Sequence, residues 1–329
     1  MSHFQKEDYL KKKVFPIDVK AIQNIDDLLT SLKRCGFQGR NLGIALDILY
    51  KMVSSDDILT VLTLSGAMVP AGMGEIISAL IENKLIDVLI STGANITHDL
   101  IDSTCNIGHY LGDPNVDDTE LFNFRINRIY DIFLPESSYD IADKQLFEII
   151  EKIYETKNIH ETPSNFLKKI GEELPNRCIL SVAAKNDIPI FVPAFSDSEF
   201  ALKLLKYEYY NDYDFQFDIL EDVKNYADII RKSKEYGSII VGGGVPRNWA
   251  QQIFPMLDEF DNIERLGYNY SVRIHTATEY DGGLSGSTFS EARSWGKYDL
   301  ESKHVSVWCD ATIALPILIS GLFQRLKII

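Results

Sequence analysis

This sequence has few of the residues that build metal centres or disulfide frameworks. Its four cysteines, Cys35, Cys105, Cys178 and Cys309, are scattered, with no C-x-x-C pair and no cysteine–histidine metal spacing. In a chain of 329 residues that pattern fits reduced thiols and a cytoplasmic protein. The six histidines form no H-E-x-x-H, so no metal ligand set is expected. A G-x-S-x-G elbow and a G-x-x-x-x-G-K-[ST] loop are also missing, which leaves hydrolase and P-loop readings without support. Met1 to Lys13 is charged and lacks a signal-peptide apolar run. The longest apolar stretch, Ala311 to Phe323, contains Pro316 and Gly321 and falls short of the ~20 residues a membrane span needs. It predicts a buried core helix and no membrane partner. Basic residues are outnumbered, with Lys+Arg 33 against Asp+Glu 48 and a net charge of −15. Such a field repels phosphate backbones, which argues against nucleic acid. It suits a cationic small molecule, although acidity also serves plain solubility.

What is present alternates. Short β-branched runs at Ile58–Leu64, Asp87–Ser91, Ile188–Val192, Ser238–Val241, Tyr270–His275 and Val305–Cys309 predict strands. Between them, Asn41–Met52 and Met73–Asn83 predict helices. Asp218–Tyr236 predicts another, with Ile219, Val223, Tyr226 and Ile230 on one face and Gly237 as its stop. Thr162-Pro163 predicts an N-cap followed by proline in the first turn. Strands separated by helices imply an α/β fold with a mostly parallel, Rossmann-like sheet flanked by helices. In such sheets ligands bind beyond the strands' carboxyl ends.

Four strand-end loops are rich in small residues. Ser238–Val241 runs into Gly242-Gly243-Gly244 and then Val245-Pro246, with Pro246 expected at the first position of a helix. That is a site for phosphate or close ligand approach, or a tight packing turn. Asp87–Ser91 leads to Thr92-Gly93-Ala94-Asn95. Tyr270–His275 leads to Thr276-Ala277 and then to Asp281-Gly282-Gly283-Leu284-Ser285-Gly286. Val305–Cys309 leads to Asp310-Ala311. Four such ends in one sheet point to a dinucleotide crevice. Further along, Glu291-Ala292-Arg293-Ser294-Trp295-Gly296-Lys297 places a lysine beside a tryptophan. An amine buried against that indole would lose its proton more readily and become a nucleophile, while most lysines are simply solvated.

The order of these motifs resembles the deoxyhypusine synthase family. The resemblance rests on Gly242–Val245, Thr278-Glu279-Tyr280-Asp281-Gly282, the S-W-G-K segment at 294–297 and Asp310-Ala311. It extends through Pro193–Asp197, Thr162–Ser164, Asp87–Thr92 and Asn41-Leu42, over roughly residues 35–325, and is weakest between about 105 and 160. It implies a single NAD-binding catalytic domain over 35–329 behind a helical extension, 1–34, and a homotetramer with sites between subunits. It also implies NAD as cofactor and a polyamine such as spermidine as substrate, with Lys297 capturing an imine and an aminobutyl group passing to an acceptor amine. By the same resemblance, the NAD contacts are Asn41, Leu42, Thr92, Gly93, Ala94, Asp197, Thr276, Ala277, Asp310 and Ala311. Asp197 and Asp310 would take ribose hydroxyls, or else cap helices. Gly243, Gly282, Gly283 and Glu291 fall in the substrate region. The departures lie there too. Asn248 stands where the family has a histidine, Leu202 and Leu284 where it has carboxylates, and Thr97 and His98 where it has two glutamates. Asparagine cannot titrate, which leaves His98 as a candidate base from another wall. A small amine acceptor, as in homospermidine synthases, is therefore favoured over a protein lysine. The alternatives are a non-catalytic NAD- or polyamine-binding protein, a true synthase acting on a translation-factor lysine, and a plain NAD-dependent amine dehydrogenase.

Overall fold

The computed structural model describes residues 6–105, 108–262 and 267–329; the start of the N-terminal segment, 1–5, lies outside them. All six expected strands form and make one parallel sheet. We label them β1 (Ile58–Leu64), β2 (Val88–Ser91), β3 (Ile190–Phe191), β4 (Glu235–Val241), β5 (Tyr268–His275) and β6 (Tyr298–Trp308). Their spatial order is β6-β5-β4-β1-β2-β3, with every neighbouring pair parallel. Read from the other edge this is 3-2-1-4-5-6, a doubly wound order whose direction reverses between β1 and β4. Both faces are covered, which explains why the strands read as apolar runs rather than alternations. Leu62, Leu64, Leu89, Ile239 and Val272 point into one core, and Val61, Val88, Ile90 and Tyr236 into the other.

Four helices place the site. The 37–53 helix (Phe37–Val53) packs under β5 and β6, and the 311–325 helix (Ala311–Arg325) packs against it. Pro316 lies within the latter, and its Leu315, Leu318 and Leu322 are buried as the apolar run predicts. The Gly93–Thr104 helix follows β2, and the Gly244–Asp261 helix follows β4. In the N-terminal segment the Ile25–Leu32 helix buries Leu29 in the main core.

Three local expectations change. The helix expected over 218–236 ends at Arg231, and Tyr236 and Gly237 belong to β4. Gly237 is there for close packing, because a Cβ would sit 2.6 Å from the sulfur of Met52. Of the expected face, Tyr226 and Ile230 are buried and Ile219 is exposed. The helix after the triple glycine starts at Gly244, so Pro246 occupies its third position. The first turn has no intrahelical acceptor for its N–H groups, so proline is tolerated there as well. Thr162 caps the 163–173 helix, with Pro163 behind it, as expected. A small antiparallel sheet (Tyr110–Leu111, Ile126–Ile129, Ile132–Pro135) and a parallel pair (Asn158–Glu161 with Asp214–Phe217) complete the fold. The antiparallel sheet falls where the family resemblance is weakest.

Gly43 tests this packing. Alanine is the better helix former by about 1 kcal/mol. A methyl at Gly43 would nonetheless lie 2.5 Å from the Leu29 carbonyl oxygen and the Lys33 amide nitrogen, which are backbone and cannot swing away. Gly43→Ala is expected to destabilise the fold by about 1–3 kcal/mol in denaturant unfolding; a stabilised variant would contradict the packing described.

Candidate active site

Lys297 sits where the short Phe289–Ser294 helix turns into β6. Trp295 closes the helix and Gly296 takes a left-handed φ of 72°, a bend glycine makes without strain. The lysine is 8% exposed, and its Nζ donates to Asn248 Oδ1 at 2.9 Å. Nζ lies 5.5 Å from the centre of the Trp295 ring, but that indole is 60% exposed. The amine is thus buried by the protein on the Asn248 side rather than by the indole. Burial first, and the nearby Arg247 guanidinium second, hold the Lys297 amine below the usual lysine range; Glu291 works weakly against them.

Two further buried side chains shape the site, Arg247 beside the amine and Arg273 behind it on the sheet, and sequence reasoning missed both. Arg273 on β5 is 1% exposed and Arg247 on the 244–261 helix is 3% exposed. Arg273 Nε donates to the Gly242 carbonyl at 3.0 Å, Nη1 to Ser287 O at 2.8 Å, and Nη2 to Ser285 O. Arg247 donates to Ser287 O at 2.8 Å and to Leu284 O at 2.7 Å. Together they clasp the 284–287 loop to the triple-glycine turn. Glu291 and Glu279 act on them only through space. Burial, then Arg247, pushes Arg273 down to about 9. The available signal was a charged residue inside an otherwise apolar parallel strand, Ser271-Val272-Arg273-Ile274.

A cavity of about 260 Å³ opens beyond the carboxyl ends of β1, β4, β5 and β6, at the point where the strand order reverses. Gly243, Thr276, Ala277, Asp310 and Ala311 line it, joined by Ser65, Ser285 and His275. His275 is 5% exposed and its Nδ1 has no partner; burial and the two guanidiniums push it down to about 4. Asp310 spends one oxygen capping the 311–325 helix, accepting from Thr312 N at 2.8 Å. Thr92 caps the 93–104 helix, and its Oγ1 donates to Gly66 O, on the cavity wall, at 2.8 Å. At Gly93 a Cβ would collide with Ser198, so the Thr92-Gly93-Ala94 turn and the Asp197 loop are in contact. Ser198, not Asp197, caps the following helix. Asn41 donates to Ser306 O on β6 at 2.9 Å, and Leu42 packs on the main core. Gly282 (φ 71°) and Gly283 shape the loop before Leu284, with Gly283 N donating to Asp281 at 2.8 Å.

Two predicted residues lie elsewhere in the chain. His98 Nδ1 meets His109 Nε2 at 2.9 Å, and His109 Nδ1 meets Asp102 at 2.9 Å. Burial, then His109, pushes His98 down to about 4. Leu202 is exposed on the Glu199–Asn211 helix. Among the described residues no group of three or more His, Cys, Asp or Glu side chains could hold a metal, and no helix is long and apolar enough to cross a membrane.

A doubly wound sheet with a cavity at its switch point is the arrangement of α/β proteins that bind ligands beyond the carboxyl ends of their strands. Comparison with known proteins narrows the class. The family model for deoxyhypusine synthase matches residues 27–322. The Archaeoglobus fulgidus protein named "Probable deoxyhypusine synthase 2" is 40% identical over 296 residues, covering 88% of this chain and 95% of the relative. The Methanosarcina mazei protein of the same name is 37% identical, covering 95% and 90%. The crystal structure of the "putative deoxyhypusine synthase" from Entamoeba histolytica superposes with a TM-score of 0.67 at 22% identity, covering 94% of this chain and 97% of that one, and shows the shared fold. The chain belongs to the deoxyhypusine synthase family, a family of transferases.

Asn248→Asp tests the electrostatics. A carboxylate 2.9 Å from Nζ favours the charged amine, so the lysine pKa rises. Reductive alkylation of Lys297 by a small aldehyde, followed by peptide mass, should reach its half-maximum at a higher pH than in the parent. An unchanged profile would contradict the contact.

Proposed function

We propose that the chain is an NAD-dependent aminoalkyl transferase working through Lys297, with a small amine as acceptor. The observation that carries this reading is the buried Lys297 amine, depressed in pKa and bonded only to a neutral amide. A lysine must be unprotonated to attack an imine, and burial favours that state.

The residues fit a dinucleotide. The switch-point cavity holds an orphaned His275 Nδ1, and the close approaches at Gly93 and Gly243 leave backbone where a Cβ would collide. Asn41, Leu42, Thr92, Gly93, Ala94, Asp197, Thr276, Ala277, Asp310 and Ala311 would hold it, with Asp197 and the free oxygen of Asp310 toward ribose hydroxyls. When bound, NAD would supply the hydride acceptor, and later the hydride donor, for the carbon beside the substrate nitrogen. The chain's own part is nucleophilic. Lys297 Nζ attacks the C=N carbon, the leaving amine departs with a proton, and the alkyl group stays on the lysine as an imine. An acceptor amine then adds at the same carbon and displaces Lys297, which leaves neutral. Asn248 Oδ1 orients the lysine and cannot itself take the proton. Glu291 and His98 are the titratable candidates for that proton, His98 from the wall of a second copy in a homotetramer. Exposed Trp295, Tyr280 and Leu284 around the lysine, and Phe37, Trp308 and Ile313 at the ends of β6 and its helix, fit sites covered by another copy of the chain.

A transferase that returns its hydride accumulates no NADH. With NAD, a polyamine donor and a diamine acceptor, product should form with flat absorbance at 340 nm. Lys297→Ala should lose at least a thousandfold in turnover and keep its NAD affinity by calorimetry. Stoichiometric NADH build-up would instead mark a plain amine dehydrogenase. Tight NAD binding without product from any amine pair would favour a binding protein.

A further inference from the structure

Asp102, His109 and His98 form a line of hydrogen bonds that leads from solvent into the protein. His98 and Asp102 stand one turn apart on the same face of the Gly93–Thr104 helix. The backbone returns at His109, whose ring lies across both. Its Nδ1 meets Asp102 Oδ1 and its Nε2 meets His98 Nδ1, each at 2.9 Å. The two imidazoles are tilted by 56°, so their contact is this hydrogen bond rather than a stack. Exposure falls along the line, from 42% for the Asp102 side chain to 9% for that of His109, and His98 is 6% exposed.

Counting hydrogens fixes the direction of the line. A carboxylate only accepts, so His109 Nδ1 carries the hydrogen given to Asp102. A neutral His109 then accepts at Nε2, which places the hydrogen of His98 on Nδ1. Nε2 of His98 is left as a bare lone pair. It has no partner among the described residues and is not one of the fully buried orphan atoms, so it opens to solvent. A proton arriving there drives the Nδ1 hydrogen across to His109 Nε2, and the imidazolium forms beside Asp102 instead of on the buried ring. Burial first, and His109 second, act against a charge on His98, while Asp102 acts for it. Asp99, next along the helix, is spent on the Ile179 and Leu180 amides.

We infer that His98 Nε2 is the atom that takes the substrate-amine proton, and that His109 and Asp102 are positioning residues which fix its tautomer and carry the charge outward. The inference rests on the transferase reading above and deepens it, choosing His98 over Glu291 as the acceptor of the proton. In the forward step one N–H bond of the substrate ammonium breaks and one forms at His98 Nε2. The N–H bond at His98 Nδ1 breaks with it, and one forms at His109 Nε2. The reverse sequence returns the proton to the leaving amine. Only protons move, so the relay needs no oxidant or reductant of its own.

With only six histidines, magic-angle-spinning NMR of the full chain carrying heavy nitrogen in its imidazoles reads the tautomers directly. Above the ordinary imidazole range, His98 and His109 should each carry hydrogen on Nδ1 and none on Nε2. Asp102→Asn is nearly isosteric and can donate from its amide, which turns the line round and puts the His98 hydrogen on Nε2. With NAD, a polyamine donor and a diamine acceptor, that variant should lose about a hundredfold or more in turnover and keep its NAD affinity by calorimetry. Asp102→Glu, which keeps the carboxylate, should recover part of the loss, and His98→Gln should lose as much as Asp102→Asn. Hydrogen on His98 Nε2 in the parent overturns the inference. So does full turnover in Asp102→Asn or His98→Gln with the Lys297 adduct still forming, an outcome that leaves the transferase standing. Loss of NAD affinity along with turnover marks a structural role for the three residues and overturns it too. No Lys297 adduct from any amine in the parent removes both readings.

Discussion

The site depends on the clasp that Arg247 and Arg273 make on backbone carbonyls. Gly242, Leu284, Ser285 and Ser287 belong to two separate loops, and these five hydrogen bonds are what fix one against the other. Charge-assisted bonds of this kind are stronger than neutral ones, so the loops are held by strong contacts without an ion pair among the described residues. Ser65 adds a bond to the Gly243 carbonyl from the end of β1, tying the turn to the centre of the sheet.

The chemistry follows from those two buried charges. Arg247 lies beside Lys297 and disfavours its protonation, and burial does the larger share. Burial, and after it the same two guanidiniums, hold His275 neutral at the cavity wall. A lysine amine and an imidazole that both resist protonation are two consequences of one arrangement. The overall charge of −15 therefore says little about the surroundings of Lys297, where two buried guanidiniums lie close to one another.

Much of the frame was legible in the sequence because parallel strands buried on both faces leave unbroken apolar runs, and all six were found from them. Loops were legible where glycine and small residues follow a strand, which marked Gly242–Gly244, Thr92–Ala94 and Asp310-Ala311. The misread 218–236 helix shows the limit. The apolar spacing of Tyr226 and Ile230 lapses at Ser233 and Lys234, and Tyr236 is buried as a strand residue, with Met52 close against Gly237. The strands at Tyr110–Leu111, which is exposed, and Ile126–Ile129, which is only partly buried, are too short to leave a periodic signal. Arg247 escaped notice because one arginine near a helix start looks solvated, and its burial depends on a loop some forty residues away.

The claim on which everything turns is that the Lys297 amine forms a carbon–nitrogen bond with substrate. Borohydride reduction of the protein incubated with NAD and amine substrate, followed by peptide mapping, tests it directly. The account predicts a single added alkylamine mass on the peptide carrying Lys297, absent when NAD is omitted. An unmodified Lys297 peptide, or an adduct on another lysine, would contradict it.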